Sequence, residues 1–298
     1  MAKASIEISV VQDLLQRLYP NTLKGNVVQI KSGSSSAVGF TFNPDTELVI
    51  LFRRKGEFAK EIAVRKLLDN SAVPAPKIIA SGEATNILDY LIVEKAEGVV
   101  VDDDADVRTC IEAVMPVFTK ISSTDHRRAG FGFWNPITLD APFKTWKEFI
   151  LDMTTGDWSV CRDQESVYIA HELIKKYLDK LPEQNALLHG DMSGGNFFVG
   201  NGKTTAVIDW ELSMFGDPIY EYAYMTVFYP DTLTGVLKAI QNILGLDSTN
   251  WKERFLCCRL YPLLKYTRMH YLEDSVERQE RAKYYENILR ETVKDLSL

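Results

Sequence analysis

The sequence predicts an α+β fold in which a small antiparallel β lobe is followed by a larger, mainly helical lobe. Segments with the composition of β-strands are concentrated before residue 97, whereas apolar residues at helical spacing fill most of residues 97–298. A further pair of strand-like segments forms one hairpin between residues 187 and 209. We therefore expect one lobe over residues 1–96 and a second lobe over residues 97–298.

The first lobe is expected to contain five strands and one main helix. Ser9 is suited to cap a short N-terminal helix that ends before Pro20. The main helix is predicted over residues 57–68, and Pro74 and Pro76 then favour extended backbone. The five strands of the antiparallel sheet are predicted at residues 27–30, 37–42, 48–52, 77–80 and 90–93.

Helices dominate the second lobe. Thr145 and Glu148 have the spacing of a capping box, which places a helix start at Trp146. The helices predicted from apolar spacing lie at residues 107–121, 164–181, 219–227, 233–243, 251–272 and 276–293. This half is rich in tyrosine, and we expect most of these tyrosines to be core residues with a hydrated hydroxyl.

Composition narrows the class of protein. The 298 residues are 46% hydrophobic and 25% charged, which is ordinary for a folded chain. With 34 Lys and Arg against 41 Asp and Glu, the net charge of −7 argues against a nucleic-acid partner and for a cationic ligand. Many acidic proteins carry such a charge for solubility alone. The sequence contains no run of about eighteen apolar residues, so we expect no membrane span.

The N-terminus and the cysteines predict a cytoplasmic protein. The first residues lack the continuous apolar segment of a signal peptide. Cys110, Cys161, Cys257 and Cys258 show neither a C-x-x-C spacing nor a histidine pattern suited to zinc. We therefore expect reduced, buried thiols.

The hairpin carries the strongest chemical motif in the chain. His189, Asp191 and Asn196 keep the register of the protein-kinase catalytic loop, and Asp209 lies thirteen residues after Asn196. Phosphoryl transfer requires an aspartate beside the attacking hydroxyl, and an Asn and a second Asp that hold Mg²⁺ on the nucleotide phosphates. The alternative is that these residues cap turns in an unrelated hairpin. The full spacing, with an apolar strand on each side, favours the catalytic interpretation.

These motifs resemble those of the aminoglycoside phosphotransferase family. The resemblance rests on His189-Gly190-Asp191, the Asn five residues later, Ile208-Asp209-Trp210 and Gly216-Asp217-Pro218. Gly130-Phe131-Gly132 and Thr145-Trp146 with Phe149 are most similar to hygromycin B phosphotransferases. The resemblance implies a protein-kinase-like two-lobe fold with a nucleotide-binding first lobe and a catalytic and substrate-binding second lobe. It also implies ATP or GTP as co-substrate and Mg²⁺ as cofactor.

Residues of the first lobe are candidates for binding the nucleotide. The small, flexible loop around Ser34 and Ser35 joins two strands where a kinase covers the phosphates. The third strand ends in a basic run, from which we select Arg53 to pair with Glu61 of the following helix. Arg54 or Lys55 could serve instead, or the run could be a solvated strand end. By the resemblance, backbone groups near Glu94 and Ala96 hydrogen-bond the adenine.

Candidate acceptor-binding residues come from several segments of the second lobe. Trp134 could stack on a sugar ring or fill the core. Glu211 could contact an amine of the acceptor or be solvated, and Glu273 and Asp274 could form an acidic rim or a solvated face. By the resemblance, Asp217 hydrogen-bonds the catalytic-loop backbone. We interpret Asp217 and His189 as structural support.

The expected reaction is transfer of a γ-phosphoryl group to a hydroxyl of a small, cationic molecule such as hygromycin B, which would confer resistance. Gly190 replaces the protein-kinase arginine, and about seven residues separate Trp210 from Asp217, too few for a long activation segment. A protein substrate is therefore disfavoured. A metabolic kinase acting on choline, ethanolamine or a sugar, and a nucleotide-binding pseudoenzyme, are the alternatives. We expect a monomer or weak dimer.

Overall fold

The computed structural model describes residues 6–20, 24–30, 37–43, 46–101, 107–126, 128–138, 140–244 and 250–294. The strands are β1 Lys24–Ile30, β2 Val38–Asn43, β3 Leu48–Arg54, β4 Ile78–Glu83, β5 Leu88–Glu94, β6 Val99–Val100, β7 Gly132–Phe133, β8 Ala186–Leu188, β9 Phe197–Gly200, β10 Lys203–Val207 and β11 Met214–Gly216. The α-helices are α1 Ile8–Leu18, α2 Ala59–Leu68, α3 Val107–Ser122, α4 Trp146–Asp152, α5 Gln164–Tyr177, α6 Ile219–Phe228, α7 Leu233–Leu244, α8 Trp251–Tyr271 and α9 Val276–Lys294.

The chain forms two compact units, and each combines two stretches of sequence. The first unit comprises Met1–Asp104 and Gly194–Glu211. The second comprises Ala105–Ser193 and Leu212–Leu298. The lobe boundary that we expect between residues 96 and 97 stays a prediction.

A five-stranded antiparallel sheet forms the centre of the first unit. Its strand order is β1-β2-β3-β5-β4. Strands β2, β3 and β5 are buried or partly buried at every residue except the last, because both faces of the sheet are covered. One face packs on Val11, Leu14 and Leu15 of α1, and the other packs on Phe58 and Ile62 beside α2. The predicted small antiparallel lobe is thus confirmed.

The hairpin of β9 and β10 belongs to the first unit, although we expect it in the helical lobe. Strand β9 pairs with β6 as well as with β10, in the order β10-β9-β6. The physical reason is that β9 has a second edge of backbone amides and carbonyls, and β6 satisfies them through Val99↔Val199 and Val100↔Phe198.

The second unit is mainly helical, as the fold class predicts. Nine of the ten residues of α6 are buried, all except Phe228, because this helix is apolar on every side. Helix α8 packs against both α6 and α9. A small antiparallel sheet has the strand order β7-β11-β8, and its strand β8 ends at Leu188, directly before the catalytic loop. Strand β8 therefore delivers His189 directly to the buried end of α6.

The cysteine side chains that the structure describes in the second unit are buried. Burial raises the pKa of the Cys161 thiol to about 11 and that of Cys257 to about 12. Cys258 is also buried and free, whereas the side chain of Cys110 lies outside the described residues. These thiols resist ionisation and are poor nucleophiles at neutral pH. Within the described ranges, no helix combines the length and apolar character needed to cross a membrane.

Candidate active site

The hairpin brings Asn196 and Asp209 to neighbouring backbone positions. Asn201 and Gly202 have φ values of 51° and 71°, as expected for a two-residue turn that suits the twist of a hairpin. Phe197 is paired with Val207 at the end of the ladder. The amide of Ile208 donates to the Asn196 carbonyl oxygen at 3.0 Å, which extends the pairing by one step.

Asp209 follows this pairing in an unusual backbone conformation. Its φ of 62° is uncommon for a residue with a side chain. Its carboxylate oxygen Oδ1 accepts a hydrogen bond from Arg53 Nη2 at 3.0 Å. Because such backbone conformations are concentrated at functional sites, Asp209 is a residue with a chemical role to explain.

Arg53 is the buried cation of the first unit that contacts Asp209. Its side chain is 5% exposed, and its Nη1 lies 3.3 Å from Glu211 Oε2. Burial alone would lower the pKa of Arg53, but the carboxylates of Asp209 and Glu211 outweigh burial and raise it. Arg53 is therefore a permanent positive charge held beside the Asp209 carboxylate.

The predicted pair of Arg53 with Glu61 is wrong. Glu61 instead accepts from Arg65 at 3.1 Å and 3.0 Å, and from the backbone amide of Trp210 at 2.8 Å. The physical reason is that Arg65 lies one helical turn away on α2 and saturates one oxygen, while the Trp210 amide saturates the other. Glu61 thus anchors the segment that follows Asp209.

A cavity of about 340 Å³ lies within the first unit. Its walls are mostly apolar, and its charged lining includes Arg53 and Asp209. This volume is within the range of about 300–1,000 Å³ typical of small-molecule sites. The apolar lining includes Ala37, Val49, Leu91, Val93, Phe198 and Ile208. The cavity therefore combines apolar walls with charged side chains.

Glu94 and Ala96 line this cavity after β5. The amide of Glu94 donates to the Lys77 carbonyl at 3.0 Å, so it is used within the sheet. Among the described residues, none accepts from the amide of Ala96, which leaves that donor available to a ligand. Ser34 and Ser35 lie outside the described residues.

Asn196 and Asp209 fit a magnesium site of the kind that nucleotides complete. They offer an amide oxygen and a carboxylate oxygen, which are hard donors of the type that Mg²⁺ selects. In the part of the chain that the structure describes, no three His, Cys, Asp or Glu side chains form a metal cluster. Two protein ligands suit Mg²⁺, because it retains water and takes its other ligands from substrate phosphates.

The catalytic loop in the second unit is held by a carboxyl group that the sequence analysis missed. The backbone amides of His189 and Gly190 both donate to Glu221 Oε1. His189 is buried, and its Nδ1 accepts from the Asp191 amide at 3.2 Å. These bonds fix the loop backbone on both sides of Gly190. The available signal was a glutamate placed in the first turn of an otherwise apolar helix.

Gly190 has a steric role in this loop. Its φ is 79°, and a Cβ built there would collide with the carbonyl oxygen of Leu212. Only glycine fits a position with that conformation and that close a backbone. The absence of the protein-kinase arginine is therefore imposed by the packing of the loop as well as by the lack of a long activation segment.

Asp217 does not bond the catalytic-loop backbone, so this expectation is wrong. It is fully buried and accepts from Arg254 Nε at 2.9 Å and Nη2 at 2.8 Å. It also accepts from the Ile219 amide at 3.0 Å, at the start of α6. Asp217 precedes the helix and satisfies its first free amides, whereas Glu221 lies one turn later and reaches the loop. The contact that Asp217 makes with another helix is its ion pair with Arg254 of α8.

Asp191 lies beside aromatic residues and a lysine that the sequence analysis did not select. Tyr224 donates to Asp191 Oδ1 at 2.9 Å, and its hydroxyl lies 2.6 Å from that of Tyr266. Lys265 Nζ lies 4.6 Å from the centroid of the Phe133 ring. Burial lowers the pKa of Lys265 to about 8, although the Asp191 carboxylate opposes that shift. The distance in sequence between these residues explains why no local pattern indicated them.

The structure places the predicted acceptor-binding residues in different environments. Trp134 is 3% exposed and stacks on Phe215 with ring centroids 5.6 Å apart, so it fills the core and presents no face to a sugar. Glu211 pairs with Arg53 and is not a free anionic contact. Glu273 and Asp274 are exposed beyond α8. Glu273 pairs with Arg278 at 3.2 Å, and the acidic rim stays a prediction.

Glu221 is expected to make stability depend on pH. Burial raises its pKa from 4.5 to about 8, against the opposing effect of the two amide donors. Its second oxygen, Oε2, is buried and receives no hydrogen bond from a described residue. Above pH 4.5 the unfolded chain releases the proton that the folded protein keeps, so stability falls as the pH rises from about 4.5 to about 8.

This expectation is checked with Glu221→Gln. The amide oxygen still accepts from both backbone amides but cannot titrate, so the loss of stability between pH 5 and pH 8 should be smaller in the variant. Unfolding by urea at several pH values measures the difference. Glu165→Gln, at an exposed position of α5, is the control and should leave the pH dependence unchanged. Parallel curves for wild type and Glu221→Gln would contradict the assignment.

Comparisons with known proteins identify the family of the chain. The model of the phosphotransferase enzyme family matches residues 26–254. Hygromycin-B 4-O-kinase of Escherichia coli is 30% identical over 182 residues, which cover 58% of this chain and 53% of that protein. Viomycin phosphotransferase of Streptomyces vinaceus is 26% identical over 175 residues, which cover 56% of this chain and 60% of that protein. The matched segments thus span about half to three fifths of these curated relatives.

The fold is shared with solved phosphotransferases. The crystal structure of a thermostable mutant of aminoglycoside phosphotransferase APH(4)-Ia, in a ternary complex with ADP and hygromycin B, aligns with a TM-score of 0.80 and 22% identity. The alignment covers 97% of this chain and 99% of that one. At this identity the likeness shows the protein-kinase-like fold, which the sequence analysis predicted. The family model covers more than half of the sequence, and the chain belongs to the phosphotransferase enzyme family.

Proposed function

We propose that this chain is a small-molecule kinase that transfers the γ-phosphoryl group of ATP or GTP to a hydroxyl of an aminoglycoside-type antibiotic. The observation that carries the proposal is the cavity of the first unit, which combines mostly apolar walls with charged residues that include the Arg53 and Asp209 pair. A nucleotide has the same division between a flat base and charged phosphates. Ala96 offers a backbone donor to the base, and Arg53 offers a cation to the phosphates.

In the proposed reaction the acceptor oxygen forms a bond to the γ-phosphorus. The bond from that phosphorus to the bridging oxygen breaks, and the nucleoside diphosphate leaves with the electron pair. The hydroxyl proton passes to the carboxylate of Asp191, the base of the catalytic loop. Asn196 and Asp209 would hold Mg²⁺, which neutralises phosphate charge when bound. Positioning and electrostatics supply most of the rate, so a carboxylate base is adequate.

A small acceptor is favoured over a protein. Only a short turn and β11 lie between Trp210 and Asp217, so the chain lacks the long segment that positions protein substrates in protein kinases. The names of the relatives refer to hygromycin B and viomycin, and the net charge of −7 suits a cationic molecule. Glu211 and Glu273 are already paired with arginines, however, so neither supports a cationic acceptor.

The test is an assay of Mg²⁺-dependent ADP release with the purified chain and a panel of acceptors. The panel contains hygromycin B, viomycin, kanamycin, choline, ethanolamine and a ribose derivative. We expect at least one antibiotic to stimulate ADP release, and mass spectrometry should show one added phosphoryl group on that acceptor. Stimulation by choline or the sugar alone would replace the antibiotic with a metabolic acceptor. Nucleotide binding without transfer to any acceptor would indicate a pseudoenzyme.

A further inference from the structure

The carboxylate of Asp191 is held by a chain of two tyrosine hydroxyls, on the buried Tyr224 and the partly buried Tyr266, that the reaction scheme above does not use. Tyr224 lies in the middle of α6, is 1% exposed and reaches Asp191 Oδ1 at 2.9 Å. The hydroxyl of Tyr266, on α8, lies 2.6 Å from that of Tyr224. Three residues that are far apart in the sequence, on a loop and two helices, are thereby joined in one hydrogen-bonded row.

The number of protons on these three groups decides which group donates in each of the two hydrogen bonds. A carboxylate that acts as a base is ionised, and an ionised carboxylate only accepts hydrogen bonds. The single hydroxyl proton of Tyr224 therefore points to Asp191. Tyr224 then has only lone pairs to offer Tyr266, so Tyr266 must be the donor to Tyr224. The row runs from Tyr266 through Tyr224 to Asp191, and each bond polarises the next.

The rings of both tyrosines are fixed by packing. Tyr224 lies against Phe228 with centroids 4.8 Å apart, and against Tyr220 with centroids 5.8 Å apart. Tyr266 stacks on Tyr285 at 5.4 Å. A hydroxyl on a ring that cannot move is a rigid donor, and a rigid donor fixes the orientation of the group that it contacts.

We propose that Tyr224, supported by Tyr266, is a positioning residue for the phosphoryl transfer, and this inference rests on the proposed function. Tyr224 holds Oδ1 and sets the rotation of the Asp191 carboxylate relative to the acceptor hydroxyl. A general base must lie within hydrogen-bond reach of the proton that it removes, and rotation of the carboxylate would disturb that geometry. Neither tyrosine takes part in the transfer of the proton itself.

The test compares three conservative single variants with the wild-type enzyme. Tyr224→Phe keeps the packed ring and removes the hydroxyl, so kcat should fall roughly 10- to 100-fold while KM for nucleotide and acceptor stays unchanged. Tyr266→Phe should lower kcat less, because Tyr224 keeps its own bond to Asp191. Tyr220→Phe is the matched control: this ring lies on the same helix, and its buried hydroxyl bonds to no described residue. Its kcat should equal that of the wild type.

A double variant separates positioning from a merely structural role. If Tyr224 acts through Asp191, Tyr224→Phe should have no further effect on the residual rate of Asp191→Asn. Urea unfolding of the single variants Tyr224→Phe and Asp191→Ala and of the double variant tests the same contact without an activity assay. The shift in unfolding midpoint of the double variant should not equal the sum of the two single shifts.

The outcomes distinguish this inference from the proposed function. An active wild type whose kcat is unchanged by Tyr224→Phe would overturn the positioning role and leave the kinase assignment intact. Rate losses that multiply independently in the double variant, or midpoint shifts that add, would likewise overturn it. A wild type that transfers no phosphoryl group to any acceptor of the panel would overturn both, since there would be no reaction to position.

Discussion

Asp191→Asn is expected to lower kcat by roughly 10²- to 10⁴-fold, which is the contribution of a positioned general base. The asparagine side chain has the same shape, and its Oδ1 can still accept from Tyr224, so the catalytic loop should keep its structure. It cannot take the proton of the acceptor hydroxyl. KM for the nucleotide should change little, because Asp191 is not among the residues that line the cavity of the first unit.

The measurement is steady-state kinetics of ADP release with the acceptor that stimulates the wild type. Circular dichroism and thermal unfolding should show that the variant is folded with a nearly unchanged Tm. Asp179→Asn, at an exposed position of the same unit, is a control for the change in charge and should keep full activity. A rate of Asp191→Asn close to that of the wild type would remove Asp191 from the mechanism.

Arg53→Ala is expected to have the second largest effect, on both nucleotide affinity and stability. A charge-assisted hydrogen bond contributes about 1.5–3 kcal/mol, so nucleotide binding should weaken roughly 10- to 100-fold. The substitution also leaves the Asp209 carboxylate, which is 16% exposed, without its cation. Removing one partner of a buried pair costs about 3 kcal/mol or more, and the first unit should unfold at lower urea concentration.

Isothermal titration with a non-hydrolysable nucleotide measures the affinity, and urea unfolding measures the stability. Arg53→Lys keeps the charge but loses the planar fork, and it should show an intermediate affinity in a protein that remains folded. Arg54→Ala and Lys55→Ala are the matched controls, because both side chains are exposed neighbours in the same basic run. If either control weakened binding as much as Arg53→Ala, the choice of Arg53 would be wrong.

Local patterns were sufficient for much of the fold. Alternating apolar residues predicted the five strands, and the Asn201 and Gly202 turn predicted the hairpin between β9 and β10. Apolar spacing of 3.6 residues predicted the helices of the second unit. Each of these signals depends on neighbours within a few residues of one another, so the chain itself contains the whole pattern.

The pairings were predicted less well, because they join residues that are distant in the sequence. Arg53 was expected to pair with Glu61, but its partner is Asp209, 156 residues away. Asp217 was expected to hold the catalytic loop, and Glu221 does so instead. Both carboxylates lie near the start of α6, and only the path of β8 decides which of them meets the loop amides.

By itself the sequence determined the catalytic motif, the class of fold and the family, because the spacing of His189, Asp191, Asn196 and Asp209 is a property of the chain alone. Tertiary structure decided how each of these residues is held. Three contacts join different elements: Arg53 binds Asp209, Glu221 accepts from the loop amides, and Tyr224 donates to Asp191. Their geometry follows from how helices and strands pack. Hydrogen bonds and ion pairs weaken steeply with distance and angle, so that packing decides which of several possible partners is used.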